Sequence, residues 1–417
     1  MKFPSDNRLH TALRRLCALL LCCLCAGSSS ALAARSERDT NGFKMGPARL
    51  HPSFRFTTRY DSAAAQLTST QSAGDLVLRF RPGVAFELPG ARFEMRLSGA
   101  VDYAHYLGLD YAGSKDASHL GANALLDLKV KPVQSLTLAL GDSLRRSDES
   151  NSPTLQIGVL SLHNDASLRA RWRPGHGTLS IEPSYHLVSE VFSKRSDFDN
   201  LACEEGFGCT GWDVGESNYL NHAVALGLRW DFLPKSALLL DVGFRMRRYL
   251  GVNGVDSDSV VASIGFFSVF LPRLTAQAAF GWAHELNGVY SSPVARLSLS
   301  YALTLQSKLT LGYERAFSPT PGLKWIAYGS DRVYLNAGLL LAGRFWLDAD
   351  LSANFLGYRA DSDTLSTWRI AAALKGTYEI LSWLSVGLSY RFSYDEQLSG
   401  IDDFMRHDVS FFVELSY

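Results

Sequence analysis

Along residues 409–417 the side chains take turns: Val409, Phe411, Val413, Leu415 and Tyr417 are apolar or aromatic, while Asp408, Ser410, Glu414 and Ser416 are polar. A period of two marks a strand, because successive side chains point to opposite faces. A face carrying Arg406, Asp408 and Glu414 is unsuited to the dry core of a sandwich, and the other face is too apolar for open water. Lipid on one side and water on the other suits both. The same alternation recurs from residue 50 onward. It predicts about eighteen strands, near 50–60, 75–88, 91–103, 118–130, 135–146, 160–172, 177–192, 218–232, 237–249, 259–270, 274–286, 294–304, 308–317, 332–342, 344–357, 366–380, 383–394 and 404–417. In the second of these, Leu76, Leu78, Phe80, Val84 and Phe86 oppose Arg79, Arg81, Gly83, Ala85 and Glu87, with Pro82 on the apolar face, where it costs one rung.

The connections sort by parity. Short ones at Leu88-Pro89-Gly90, Lys131-Pro132-Val133, Pro174-Gly175-His176, Pro234-Lys235, Pro272-Arg273, Gln306-Ser307, Ala342-Gly343 and Leu381-Ser382 alternate with longer polar ones at 108–117, 147–154, 194–217, 251–258, 319–330, 359–364 and 396–402. A soluble sandwich or propeller has no reason to sort its loops this way, and no blade-length repeat is visible. An even strand count lets the first strand pair antiparallel with the last, which removes both sheet edges. The expected fold is therefore all-β: a closed antiparallel up-and-down transmembrane β-barrel of about 18 strands, with short periplasmic turns and longer extracellular loops. Sixteen is the alternative count, because 155–162 reads either way. Trp172, Trp230, Phe270, Phe345, Trp383 and Tyr417 fall at the short-turn ends of apolar faces, and Tyr60, Tyr103, Trp282, Trp368 and Tyr394 toward the loop ends. Amphipathic rings favour both borders of a bilayer.

Composition narrows the picture further. The net charge of the 417 residues is zero and no basic tail is present, which argues against nucleic acid as a partner. Arg8, Arg14 and Arg15 precede an apolar run over 16–26 and a small-residue stretch ending Ala31-Leu32-Ala33, the pattern of a secretory signal peptide over 1–33. That run is too short to cross a bilayer as a helix. The expected layout is this leader, a short periplasmic tail over 34–49 and a barrel over 50–417. Cys17, Cys22, Cys23 and Cys25 leave with the leader. Cys203 and Cys209 remain, expected to form a small disulfide in an oxidising compartment, since C-x5-C without histidines is a poor metal site.

A C-terminal strand that closes on Phe411, Val413, Leu415 and the terminal Tyr417 resembles the assembly signal of bacterial outer-membrane β-barrels. That resemblance implies the outer membrane as location, its lipid as surround and the barrel-assembly machinery as a partner. Within that superfamily the architecture resembles three groups of 18-stranded barrels: maltoporin-like sugar porins, substrate-specific porins with a ladder of lumenal arginines, and the barrels that accompany periplasmic proteins in Wzx/Wzy-type polysaccharide export. Short loops and a charged lining match the third group best. It implies a hydrated, secreted polysaccharide as cargo and a periplasmic polysaccharide-export protein as partner; diffusion of small polar or anionic solutes and a non-conducting anchor or loop-display role are the alternatives.

On this facing assignment the lumen is lined by Arg55, Arg59, Arg79, Arg81, Arg92 and Arg96 on the first three strands, then by Arg169, Arg171, Arg229, Asp241, Arg245 and Arg247. Glu314, Asp348, Asp350, Arg369, Glu379, Arg391, Asp408 and Glu414 follow on the later strands. Any wide barrel needs a solvated polar lining. Beyond that, an arginine-rich first wall facing an acid-rich far wall is expected to set a transverse field acting on polar or polymeric solutes. Eighteen strands enclose a water-filled channel, and only 194–217 is long enough to fold far inward. Enzymatic chemistry is not expected. His407-Asp408 and His284-Glu285 are sequence neighbours and so face opposite ways, and no serine or metal partner is specified for His186 and Glu190. No cofactor and no metal site are implied.

Overall fold

The computed structural model describes residues 42–66, 72–110, 115, 118–147, 159–194, 218–251, 256–286, 291–317, 326–360, 363–396 and 404–417. The expected leader, Cys203 and Cys209, and nearly all of 194–217 lie outside the described residues. The chain forms β1 (Phe43–Met45), β2 (Ala48–Gln66), β3 (Ser72–Leu88), β4 (Phe93–Tyr106), β5 (His119–Val133), β6 (Leu136–Ser147), β7 (Val159–Trp172), β8 (Leu179–Lys194), β9 (Tyr219–Leu233) and β10 (Ser236–Tyr249). It continues through β11 (Ser257–Leu271), β12 (Leu274–Glu285), β13 (Ser291–Ala302), β14 (Lys308–Ala316), β15 (Ile326–Leu341), β16 (Phe345–Ala360), β17 (Asp363–Leu381), β18 (Leu384–Asp395) and β19 (Phe404–Ser416). From β2 onward each strand pairs antiparallel with the next, and β19 returns to pair with β2, Glu414 opposite Arg55. The eighteen long strands thus close a barrel, and the count of sixteen is excluded.

Alternation decides which side of the wall each residue takes. Ile264, Phe280 and Leu388 are about 60 % exposed on the exterior, whereas their strand neighbours Ser263 and Ser389 point into the lumen with the opposite parity. Trp172, Trp230, Phe270, Trp383 and Tyr417 at one end, and Tyr60, Tyr103, Trp282 and Trp368 at the other, are likewise exposed outward. An exterior so rich in bare apolar and aromatic side chains has hydrocarbon, not water, as its physical counterpart.

Turn chemistry fixes the short ends. Ala342 and Gly343 both take positive φ, at 49° and 72°, the left-handed pair that a type I′ hairpin turn requires. The rung lost to Pro82 is seen directly: β3 pairs with β4 at Phe80 and again at Gly83, with no partner for Arg81 or Pro82 between. Two lumenal rings lie against glycines of the neighbouring strand, Phe412 over Gly387 and Tyr334 over Gly312, where a Cβ would collide with them. Laid flat on glycine, these rings cover exposed backbone and leave the lumen clear.

Several walls are taller than the pattern indicates. β2 and β3 extend through much of the expected loop near 61–74, with Ala65 paired to Ala73 after a bulge, and β15 begins at Ile326 inside the expected loop 319–330. β16 and β17 leave only 361–362 between them, where 359–364 was expected as loop. Ala63, Ala64 and Ala65 show no alternation of polarity, so only the ladder reveals this strand. At the other end, part of the expected tail joins the sheet: β1 pairs with residues 48–50, and Phe43 packs 5.0 Å from Tyr417. The barrel has no large dry core. Among the described residues, the cluster of buried apolar side chains is Ala64, Val77, Ala104 and Tyr106 at the loop end of β2–β4. There Asp75 accepts hydrogen bonds from the backbone of Gly108 and Leu109, holding the chain that follows β4 down onto the strands.

Candidate functional site: a basic recess at the closure seam

The register that closes the barrel builds a recess. Arg55, Arg59, Arg79 and Arg81 from β2 and β3 share it with Arg391 of β18 and with Asp102, Asp408, Thr57, Ser389 and Ser410. Arg55 stands directly opposite Arg81, and Thr57 opposite Arg79. Like charges placed opposite one another across strands destabilise a sheet, so this wall bears a cost that neighbouring groups must offset. Some of them do. Glu414 meets Arg55 at 2.5 Å, Asp102 meets Arg79 at 3.2 Å, and Asn123 accepts from Arg81 at 2.7 Å. Arg59 lies 3.5 Å from Asp61 and 3.6 Å from Asp408. Five guanidinium groups line the recess with two carboxylates, and Glu414 and Asp61 bring the paired carboxylates to four, so positive charge remains in excess and an anion is favoured there.

The seam itself is clamped by ions. Arg406 on β19 reaches Asp61 on β2 through two hydrogen bonds, one of them at 2.9 Å from Nε, and Asp61 is 1 % exposed. Arg55 with Glu414 and Arg59 with Asp408 bridge the same two strands farther along. Phe412 sits between Arg55, 5.0 Å from its centroid, and Lys375, at 5.5 Å, so a buried aromatic holds two cations over its faces.

The other expected lining residues are distributed. Arg96 pairs with Glu87, Arg171 with Glu182 at 2.7 Å, Glu314 with Arg296 at 3.0 Å, and Arg369 with Asp395. Arg229 contacts Asp231 and stacks on Phe267, while Arg169 continues the lumenal face of β7. Asp241 lies opposite Ser263, Asp348 opposite Lys375, Asp350 opposite Asn336, and Glu379 opposite Ser385. Arg245 and Arg247 extend the face toward the loop end, where Arg247 stacks on Tyr219 and Tyr219 donates a 2.7 Å hydrogen bond to Glu190. Arg92 stands one residue before β4, at the short turn, where its carbonyl accepts from Lys131 and carries the ladder one step past the strand end.

One expectation about the lumen is overturned. The acidic residues do not face the arginine wall across the channel. Glu314, Asp348, Asp350, Glu379 and Glu414 lie on β14, β16, β17 and β19, and β17, β18, β19 and β2 are successive neighbours. Acidic and basic stretches therefore adjoin. The strands diametrically opposite β2 and β3 are β11 and β12, whose lumenal positions are Ser259, Val261, Ser263, Gly265, Phe267, Thr275, Gln277, Ala279, Gly281 and Ala283. That wall is uncharged, and mostly small apart from Val261, Phe267 and Gln277, up to Glu285 at the loop end, which accepts from Ser257. Strand order in a linear sequence hides this, because β19 and β2 are neighbours only in the closed sheet.

Sequence reasoning placed Arg406 on the polar face but did not foresee its role, and it did not single out Asp61, Asn123, Asp395 or Arg296. Each acquires its partner through register between strands. Facing, by contrast, was legible: His407 points outward to Tyr390 while Asp408 points into the lumen. His186 lies 3.9 Å from Asp165, and Glu190 lies against His163 and Tyr219, so the two lumenal residues weighed together as a catalytic pair belong to separate contacts.

No protein-family profile matches the sequence, and no curated protein matches it. Among solved structures, the outer membrane protein OpdK of Pseudomonas aeruginosa superposes with a TM-score of 0.46 at 10 % identity, over 88 % of this chain and 99 % of that one. OccAB3 of Acinetobacter baumannii gives 0.44 at 10 % identity, over 89 % and 99 %. The siderophore receptor PirA of Pseudomonas aeruginosa gives 0.44 at 10 % identity, over 90 % and 81 %. These are loose superpositions, and what the barrel does follows from its own residues.

Proposed function

We propose that this chain is an outer-membrane channel that passes small polar solutes and favours anions. The observation that carries the reading is the convergence of Arg55, Arg59, Arg79, Arg81 and Arg391 on one lumenal recess inside a barrel whose exterior suits lipid. An anion in the recess relieves the repulsion between Arg55 and Arg81 and offsets the excess of guanidinium charge there. The apolar band between two aromatic borders, together with an export leader over 1–33, supports the outer membrane as its location. Outer-membrane lipid and the lumenal solute are its partners on this reading, and the terminal strand with Phe411, Val413, Leu415 and Tyr417 is its address for the barrel-assembly machinery. A secreted polysaccharide and a periplasmic export protein have no observation of their own behind them, because the basic recess is a local site and not a lining repeated along the lumen. The Cys203–Cys209 disulfide is part of the proposal and stands to be tested by thiol labelling of the mature chain.

The test is electrical. The purified barrel in a planar bilayer under a salt gradient is expected to conduct, with a reversal potential displaced toward that of the anion. A non-conducting barrel overturns the channel reading, and a cation-selective one overturns the role of the recess.

A further inference from the structure

Among the described strands, one carboxyl group faces outward at mid-height. Asp142 on β6 shares the outward face with Leu138, Leu140 and Leu144, and Asn164 on β7 shares it with Leu162 and Leu168, all five leucines being exposed. Asp142 stands six residues past Leu136, which pairs with Trp172 at the short-turn border. At about 3.3 Å a residue and a tilt of ~40°, that is roughly 15 Å into an apolar band ~25 Å tall. The other charged groups on this exterior stand toward the loop end, as Arg248 does with Asp258 and Arg315 with Asp331. Arg146 lies four residues farther along β6, roughly 13 Å from Asp142 and beyond ion-pair range.

Asn164 donates a 2.8 Å hydrogen bond to Asp142, and among the described residues neither side chain makes another. A carboxylate accepts up to about four such bonds, and an amide donates two and accepts two. Most of that capacity is open toward hydrocarbon, which offers no partner at this depth. Ionisable groups within a membrane are costly, and they mark places where another polar group meets them. The surface beside this pair is low: Ala166 stands opposite Asp142, Ala124 opposite Leu144 and Ser189 opposite Asn164. Small side chains let a second membrane segment come close.

The patch is also self-complementary, because a donor and an acceptor lie side by side. Two copies inserted the same way up are related by an axis along the membrane normal, and a two-fold axis there sets each Asp142 against Asn164 of the other copy. Two carboxyls and two amides then alternate around one ring. A lipid carries its polar atoms at the borders and does not supply this match at mid-height.

We propose that the outward face of β5–β8 around Asp142 and Asn164 is where two copies of this chain join within the membrane. The inference rests on the membrane reading above and is independent of the recess.

The test extracts the native barrel from membranes in mild detergent and measures its mass by analytical ultracentrifugation over a dilution series. A dimer is expected. Two interchain hydrogen bonds of the strength found within membranes amount to about ten-fold in the dissociation constant. Asp142→Leu with Asn164→Leu is expected to weaken the dimer by at least about that factor while keeping heat-modifiable mobility and conductance. The exchanged pair, Asp142→Asn with Asn164→Asp, restores a donor beside an acceptor and is expected to keep the dimer, as is Ala278→Leu on the outward face of β12. Should the leucine pair fail to assemble, Ala124→Leu with Ala166→Leu, which fills the low surface and spares the polar pair, is expected to weaken the dimer in its place. A monomeric or trimeric native barrel, a dimer indifferent to the leucine pair, or one lost in the exchanged pair overturns the interface. Co-purification of a different membrane protein that is released by the leucine pair overturns the second copy as its occupant. A mature chain that stays soluble without detergent overturns the membrane reading, and this interface with it.

Discussion

The wall built by β2, β3, β18 and β19 gathers Arg55, Arg59, Arg79, Arg81 and Arg391 around one recess, while β11 and β12, half-way round the barrel, present uncharged residues, serine, threonine, glutamine, alanine and glycine with Val261 and Phe267 among them, as far as Glu285 at the loop end. Both walls belong to one sheet, both are lipid-facing on the outside, and both obey the same alternation. What separates them is how the lumenal positions are used. At the seam, long charged side chains cross from the first strand to the last and tie the closure, as Arg406 does with Asp61 and Arg55 with Glu414. On the opposite wall closure is not at stake, and the lumenal positions below Glu285 carry no charge. The same arginines that neutralise seam carboxylates outnumber them, so the place where the barrel is fastened is also where it is most attractive to an anion.

The comparison breaks first at the exterior, where the two walls should not differ. Leu388→Arg beside the seam and Ile264→Arg opposite it both put a cation against hydrocarbon, at a cost of roughly 2–4 kcal/mol near mid-membrane. Both are expected to abolish heat-modifiable assembly, whereas Ser389→Arg and Ser263→Arg, one residue away and lumenal, assemble normally. Equal tolerance of all four would show that the facing is misassigned.

Next in size is the seam clamp. Arg406→Ala leaves a buried Asp61 with Arg59 as its remaining cation at 3.5 Å. Removing one partner of a buried pair is strongly destabilising, and because Arg59 stays the loss is expected at about 2 kcal/mol, below the full range for such pairs. It should appear as a lower unfolding midpoint in denaturant, with Ser263→Ala on the opposite wall unchanged within about 0.5 kcal/mol.

Selectivity sharpens the contrast further. Arg81→Glu with Arg391→Glu is expected to shift the reversal potential toward the cation, each reversed charge acting with on the order of 1 kcal/mol on an ion about 4 Å away in water. Ser263→Arg is expected to shift it the other way. If the seam substitutions leave the potential unmoved, the recess does not govern permeation. The smallest effect concerns salt. Charges lining a watery lumen are screened, over about 10 Å at ~0.1 M and about 3 Å at ~1 M. Anion preference should therefore fade across that range, and a preference indifferent to salt would point to direct binding in place of a field.

How far the site could be read in advance varies residue by residue. Arg79 and Arg81 were assigned to the lumen because Leu78 and Phe80 are apolar, and parity needs no partner strand. That Arg55 would stand opposite Arg81, or that Asp61 would be held by Arg406, depends on two registers, β2 with β3 and β19 with β2, which no local pattern specifies. The expectation of an acid wall across the channel failed for the same reason, since distance along the chain says little about distance around a closed ring.

By itself the sequence determined the strand-rich fold class, the side of the wall that strand residues take and the alternation of short turns with longer connections, because all three follow from periodicity and turn chemistry within a few consecutive residues, while eighteen strands were separated from sixteen only by the closed sheet. Only the tertiary structure decided which lumenal charges meet, how tall each wall stands and what lies opposite what. Those depend on the pairing of the first strand with the last, a contact between residues more than three hundred positions apart, whose register is set by the whole closed sheet at once.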